Sequence, residues 1–246
     1  NNNTNNNNNI FPEKLSNKNN ISILERFYNK IEFFVDFETL INYKINKENI
    51  NEPEKNYLFM IGCYIVINKN NTEFIQFTCT KLEDEFLIIQ QWLKYIQTKI
   101  NNYNNNNNNN KFSLYHWSHA EPSIWNNVCL KYPSLIKELN SFEWVDLCQI
   151  FKNEPIIIKN VFSYSLKSIV KELYKLNYVK DIWADNYILD GKGAMFYAWI
   201  YYNNAKEDYK NLNNLKYEDI IEQIKNYNYI DVLSLYNIIL FFKNKI

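Results

Sequence analysis

Residues 33–39 read Phe33-Phe34-Val35-Asp36-Phe37-Glu38-Thr39, and the run begins two positions earlier with Ile31-Glu32. Over 31–35 only Glu32 interrupts the apolar side chains. That is the composition of a central strand buried on both faces. In a strand, residues two apart project to the same face. Asp36 and Glu38 would therefore emerge together in apolar surroundings. Two close carboxylates in such a place repel each other and lose hydration. A divalent cation held by both removes that cost. The same letters also fit a strand that has ended, with both acids in water, and a lone Asp-x-Glu does not separate the two readings.

Outward from this strand the pattern is mixed α/β. Residues 57–67 and 73–79 read as two further strands, with 69–71 as the hairpin turn between them. Phe86, Ile89, Trp92, Leu93 and Ile96 recur at helical spacing, predicting a helix over 83–100. Residues 112–117 form a fourth strand. A helix comes next over 121–131, opened by Glu121-Pro122, both suited to a first turn. Residues 142–145 are a short fifth strand, and helical stretches lie near 163–175, 192–204 and 217–243. The expectation is a mixed five-stranded sheet flanked by helices.

The length of 246 residues suits one domain with a sizeable core. Residues 1–9 are almost pure Asn, and polar character continues to 22, so 1–22 are expected as a disordered leader. The domain proper is then 23–246, with a second Asn-rich segment, 101–110, as a surface-loop insertion. Net charge is zero, so no strongly basic surface points to nucleic acid, and any such contact needs a local patch or bound cations. The 20 Tyr and 16 Phe accompany an Asn-, Lys- and Ile-rich composition typical of AT-rich coding, so they do not argue for base stacking. Cys63, Cys79, Cys129 and Cys148 form no CxxC pair and read as reduced, buried thiols. No apolar signal segment or membrane span is apparent, and the chain reads as soluble and intracellular.

Three further stretches carry candidate chemistry. In Tyr227-Asn228-Tyr229-Ile230-Asp231-Val232, Tyr227 and Asp231 are four apart and share a helix face. That face borders an apolar stripe of Val232, Leu235, Ile238 and Ile239, a poor place for a lone charge. In Tyr115-His116-Trp117-Ser118-His119-Ala120-Glu121, Glu121 sits where a helix dipole favours an acid in any case. His116 and His119 have no soft ligand nearby in sequence for a zinc site. In Trp144-Val145-Asp146-Leu147, Asp146 ends a strand, either as a site residue or as the cap of the next turn or helix.

Taken in order, these segments resemble the DEDD exonucleases, and among them the YprB-like group of ribonuclease H-like nucleases, over roughly residues 30–245. Phe34-Val35-Asp36-Phe37-Glu38-Thr39 is similar to the first motif of that family. The segment from Tyr115 to Glu121 is similar to the second, and Tyr227 to Asp231 to the third, Tyr-x-x-x-Asp. Trp144-Val145-Asp146-Leu147 and Tyr164-Ser165-Leu166-Lys167 resemble the Asp-Leu and Ser-Leu-Lys segments of the group.

The resemblance implies a ribonuclease H-like α/β fold whose second strand runs antiparallel to the rest. It implies a 3′–5′ exonuclease acting on a single-stranded end of DNA or RNA. Two Mg²⁺ or Mn²⁺ ions would be bound by Asp36, Glu38, Glu121 and Asp231, with Asp36 bridging and Tyr227 orienting the attacking water. Tyr at 227, with no His near Asp231, matches the Tyr type. Glu121 departs from the usual Asp of the second motif. Asp146 is the fallback ligand, Lys167 a candidate phosphate contact, and His116 a further candidate. Two other readings stand beside it: a catalytically degenerate ribonuclease H-like module that binds nucleic acid or protein, and an unrelated metal-dependent phosphoesterase acting on small nucleotides.

Overall fold

A computed structural model of the chain describes residues 9–25, 31–42, 55–68, 71–103, 112–135, 142–183, 190–205 and 216–244. The strands are β1 (Ile10–Phe11), β2 (Glu32–Asn42), β3 (Lys55–Asn68), β4 (Asn71–Thr78), β5 (Phe112–His116), β6 (Phe142–Asp146) and β7 (Ile157–Ile158). The helices are α1 (Lys18–Glu25), α2 (Glu85–Tyr103), α3 (Ala120–Lys131), α4 (Leu147–Asn153), α5 (Leu166–Lys175), α6 (Gly191–Tyr202) and α7 (Ile220–Lys243).

Five strands form the main sheet in the order β4-β3-β2-β5-β6. β3 is antiparallel to both of its neighbours, and β2, β5 and β6 run parallel. The second strand of the sheet is thus the one that opposes the others, as expected. β2 lies at the centre, and its alternation decides the layers. Phe37 touches Trp92 of α2 and Trp125 of α3, with ring centroids 5.5 and 6.3 Å away. Phe34, an odd number of residues away, meets Tyr236 of α7 on the other face. Both faces of the strand are therefore covered, which explains its nearly unbroken apolar run.

The structure corrects several boundaries. β2 does not stop near Val35 but continues to Asn42, with a register shift between Glu38 and Thr39. Asp36 and Glu38 therefore lie inside the paired strand rather than beyond its end. Helix α4 and strand β7 were not foreseen. Asn68 pairs with Asn71, as the hairpin required, although residues 69–70 lie outside the described residues. Of the expected loop insertion, 101–103 belong to α2, and 104–110 lie outside the described residues.

The disordered leader is the main correction. Residues 1–8 lie outside the described residues, but β1 pairs with β7 and α1 is a regular helix. Ile10, Leu15 and Leu24 are buried, which supplies the apolar anchors a polar tract lacks. A buried carboxylate adds a polar anchor. Glu154 accepts from the backbone N–H of Ser16 (3.0 Å) and Asn17 (2.7 Å) and from Asn20 Nδ2 (3.1 Å). All four cysteines are free thiols and buried, as expected. Among the described residues no helix is long and apolar enough to cross a membrane.

Candidate metal centre

β2 delivers Asp36 and Glu38 to the face that α7 covers, and α7 delivers Asp231 to them. One carboxylate oxygen from each of the three lies within 4.8 Å of the others. That span suits one hard cation, whose oxygen ligands sit about 2.0–2.6 Å from it. Glu38 and Asp231 are both only 6% exposed. Asp36 is partly exposed.

Glu121 stands at the margin of this triad. It is buried in the first turn of α3, with Oε2 3.5 Å from Nδ1 of buried His116. Ser118, with φ of 67°, makes the sharp turn from β5 into α3, and Asp146 Oδ1 accepts from its N–H at 2.8 Å. This turn brings the Glu121 charge close enough to act on Asp36, Glu38 and Asp231 alike.

Burial and mutual repulsion dominate the electrostatics. Burial first, then the charges of Asp231, Glu38 and Glu121, holds Asp36 well above the usual carboxylate range, against a lowering hydrogen bond from Asn228. Burial and the Asp231 and Glu121 charges raise Glu38 to about 8. Burial raises Asp231 to about 7, opposed by the Lys167 charge and a hydrogen bond from Tyr227. The Trp183 indole N–H also favours the Asp231 carboxylate, although its geometry falls short of a good hydrogen bond. Glu38 Oε1, Glu121 Oε2 and His116 Nδ1 are buried atoms without a hydrogen-bond partner. Buried polar atoms are normally satisfied; Glu121 Oε2 and His116 Nδ1 face each other at 3.5 Å, and Glu38 Oε1, within the acidic cluster, marks where a further group fits. The donor set is oxygen-rich and anionic, which fits a hard divalent cation.

Two side chains complete the surroundings. Tyr227, one turn before Asp231, is buried, and its hydroxyl is pushed far above its ordinary range by burial and then by the charges of Asp231, Glu38 and Asp36. Lys167 sits just after the Ser165 cap of α5, whose Oγ accepts from Ser168 N–H at 3.2 Å. Its ammonium lies 4.3 Å from the Tyr227 ring centroid and 5.3 Å from that of Trp183. Burial depresses its pKa, while Asp231, Asp190 and Glu38 pull the other way. The lysine is therefore a half-buried cation at the site and not a solvated helix lysine.

Asp36, Glu38 and Asp231 thus meet, with Tyr227 and Lys167 against them and Glu121 and His116 alongside. Asp146 does not join them. Its Oδ1 accepts from the N–H groups of Ser118, Cys148 and Gln149 at 2.8, 2.8 and 3.3 Å. It caps α4 and braces the Ser118 turn, so it is no fallback ligand. His119 is exposed at the start of α3. Sequence reasoning did not single out Asn228, Gln76, Gly62 or Trp183. Gly62 carried a usable signal, since a lone glycine inside a strand marks close approach of another group.

The chain matches no known protein family by model, no curated protein and no solved structure, so the reading of the site stands on its own chemistry.

Proposed function

We propose that the chain is a metal-dependent nuclease of the DEDD type on a ribonuclease H-like fold, hydrolysing phosphodiester bonds of DNA or RNA. The observation that carries the proposal is the convergence, within 4.8 Å, of Asp36 and Glu38 of β2 with Asp231 of the distant helix α7. The sheet order, with its central β2 and single antiparallel strand, supports the fold assignment.

In this reading Asp36, Glu38 and Asp231 hold Mg²⁺ or Mn²⁺, and Glu121 takes part from the margin. Such ions, when bound, acidify a water and stabilise charge on the leaving oxygen. The protein's own groups do the positioning. Tyr227 keeps its proton across the working pH range, so its hydroxyl acts as a hydrogen-bond donor that orients water or a phosphate oxygen and not as a base. Lys167, braced between two rings, offers a fixed cation to a phosphate. The local charge at Lys167 and bound cations would then do the work that a basic surface does elsewhere, which reconciles substrate binding with zero net charge.

The test is cleavage of end-labelled single-stranded DNA and RNA with Mg²⁺ or Mn²⁺, with EDTA as control. Asp36→Ala should abolish cleavage by at least about a thousandfold, roughly 4 kcal/mol in barrier, and leave the circular dichroism spectrum unchanged. Full activity in that variant would refute the site. Metal binding by the wild type without any cleavage would favour a binding module, and hydrolysis of mononucleotide esters alone a small-molecule phosphoesterase.

A further inference from the structure

Three residues stand in a row across the sheet: Asp36 on β2 is paired with Gly62 on β3, which is paired with Gln76 on β4. Residues so paired present their side chains to one face. Here the middle position has no side chain, and Asn228 of α7 fills the space. A Cβ on Gly62 would stand 2.0 Å from Asn228 Oδ1, closer than any side chain tolerates. The glycine therefore leaves a notch, and the amide of Asn228 is seated in it with no exposed surface.

The seated amide bridges the two ends of the row. Asn228 Nδ2 donates to Asp36 Oδ2 at 2.7 Å and to the Asp36 carbonyl at 3.2 Å. Its Oδ1 accepts from Gln76 Nε2 at 2.7 Å, and the same Nε2 donates to the Lys225 carbonyl at 3.2 Å. Lys225 O has only acceptor capacity, so it fixes which end of the Gln76 amide faces inward. That in turn fixes Oδ1 of Asn228 toward Gln76 and Nδ2 toward Asp36. The chain of donors can run one way only, and it ends on a carboxylate oxygen. Asp36 is consequently held through Oδ2, in a carboxyl group that shares the 4.8 Å span with Glu38 and Asp231.

We propose that Asn228, oriented by Gln76 and admitted by the bare face of Gly62, is a positioning residue that sets the Asp36 carboxylate in ion-binding geometry. The proposal rests on the metal-site reading above and adds to it how the site is kept ready in the free protein. Groups that orient a ligand from behind commonly change metal affinity by about ten- to a hundredfold.

The experiment is Mn²⁺ titration of the full chain by calorimetry, together with thermal melting in EDTA and cleavage across a Mn²⁺ series. Gln76→Leu removes the orienting donor without touching the proposed ligands, and because Gln76 is only partly buried the fold should survive it. Mn²⁺ affinity should fall about tenfold or more, and cleavage should return toward the wild-type rate at saturating Mn²⁺. Asn228→Ala should lose more affinity than Gln76→Leu, and Gly62→Ala should resemble Asn228→Ala, because its methyl group expels the amide. Unchanged Mn²⁺ affinity in folded Gln76→Leu and Asn228→Ala, with tight binding by the wild type, overturns the positioning role and leaves the metal site standing. A wild-type protein that binds no Mn²⁺ overturns both. A purely structural role would lower the melting temperature of Gln76→Leu with no change in Mn²⁺ affinity, which also sinks the proposal.

Discussion

At the scale of single residues, the buried acidic cluster lowers the stability of the metal-free protein. Glu38 is an acid whose pKa in the folded protein is raised from 4.5 to about 8, mainly by burial and then by Asp231 and Glu121. In the unfolded chain it titrates near its ordinary value. Below that value both states are protonated and the group costs nothing. As pH rises toward 8, the unfolded state releases its proton first, so stability falls across that window. Glu38→Gln removes this penalty. It should stabilise the metal-free protein at pH 8 by about 0.5–2 kcal/mol, the usual size of a single stabilising substitution. Urea unfolding in EDTA measures this, and an equal or lower stability for the variant contradicts the picture of buried, repelling acids. The same shifts predict that Mn²⁺ binding expels protons, because the ion requires carboxylates that the free protein keeps partly protonated near pH 7. Calorimetry in two buffers of different ionisation enthalpy should register proton release at pH 6.5 and little at pH 9. No proton release at either value would mean the carboxyl groups titrate normally.

At the scale of elements, β2 turns one face to the α2 and α3 layer and the other, with Asp36, to α7. Phe37 packs among Trp92, Trp125 and Trp144, while Asp36 looks across to α7. Trp125 is fully buried, so Trp125→Ala should cost about 3–5 kcal/mol in urea unfolding. Mn²⁺ affinity of the protein that remains folded should stay within about twofold, since the tryptophan lies across the sheet from Asp36, Glu38 and Asp231. A large loss of affinity would mean the two faces are coupled. This division also explains what the sequence disclosed. A strand covered on both sides has to be apolar at nearly every position, so 31–35 announced itself, and Asp36 and Glu38 were conspicuous as exceptions. α7 was legible because Val232, Leu235, Ile238 and Ile239 repeat at helical spacing. Asn228 and Gln76 were not, because an Asn in an Asn-rich chain carries no contrast, and their role depends on a cross-strand register that no local pattern encodes. The surroundings of Lys167 were not legible for a similar reason: nothing near it in sequence foretold the rings of Tyr227 and Trp183. Asp146 stayed open between ligand and cap because a strand-ending acid and a helix cap are written with the same letters, and the structure shows the cap.

At the scale of the whole molecule, the polar N-terminal segment is joined to the helix that carries Asp231. α1 packs on α7, and Glu154, at the end of α4, fastens the turn that leads into α1. Four donors converge on this one carboxylate: two backbone N–H groups, the Ser16 hydroxyl and the Asn20 amide. Burial alone would raise the pKa of Glu154, but the hydrogen bonds from Ser16, Asn17 and Asn20 outweigh it and leave the group below 4.5. For an acid with a lowered folded value, the contribution is complete above the unfolded pKa and disappears as pH falls through the folded one. Glu154→Gln keeps the shape but replaces one acceptor oxygen with a donor and removes the charge. The donors it faces are then partly unmatched, at a cost of about 1–3 kcal/mol. The variant should therefore be less stable than the wild type at pH 7, with the difference shrinking toward pH 3, where the wild-type carboxyl is itself protonated. Hydrogen exchange at pH 7 should speed up first over 16–25, and next in the part of α7 that α1 covers, if the segment opens as a unit. A stability gap that stays constant between pH 7 and pH 3 would show that the charge of Glu154 is not what fastens the segment. Faster exchange confined to α4 would show that the polar segment does not need the clamp.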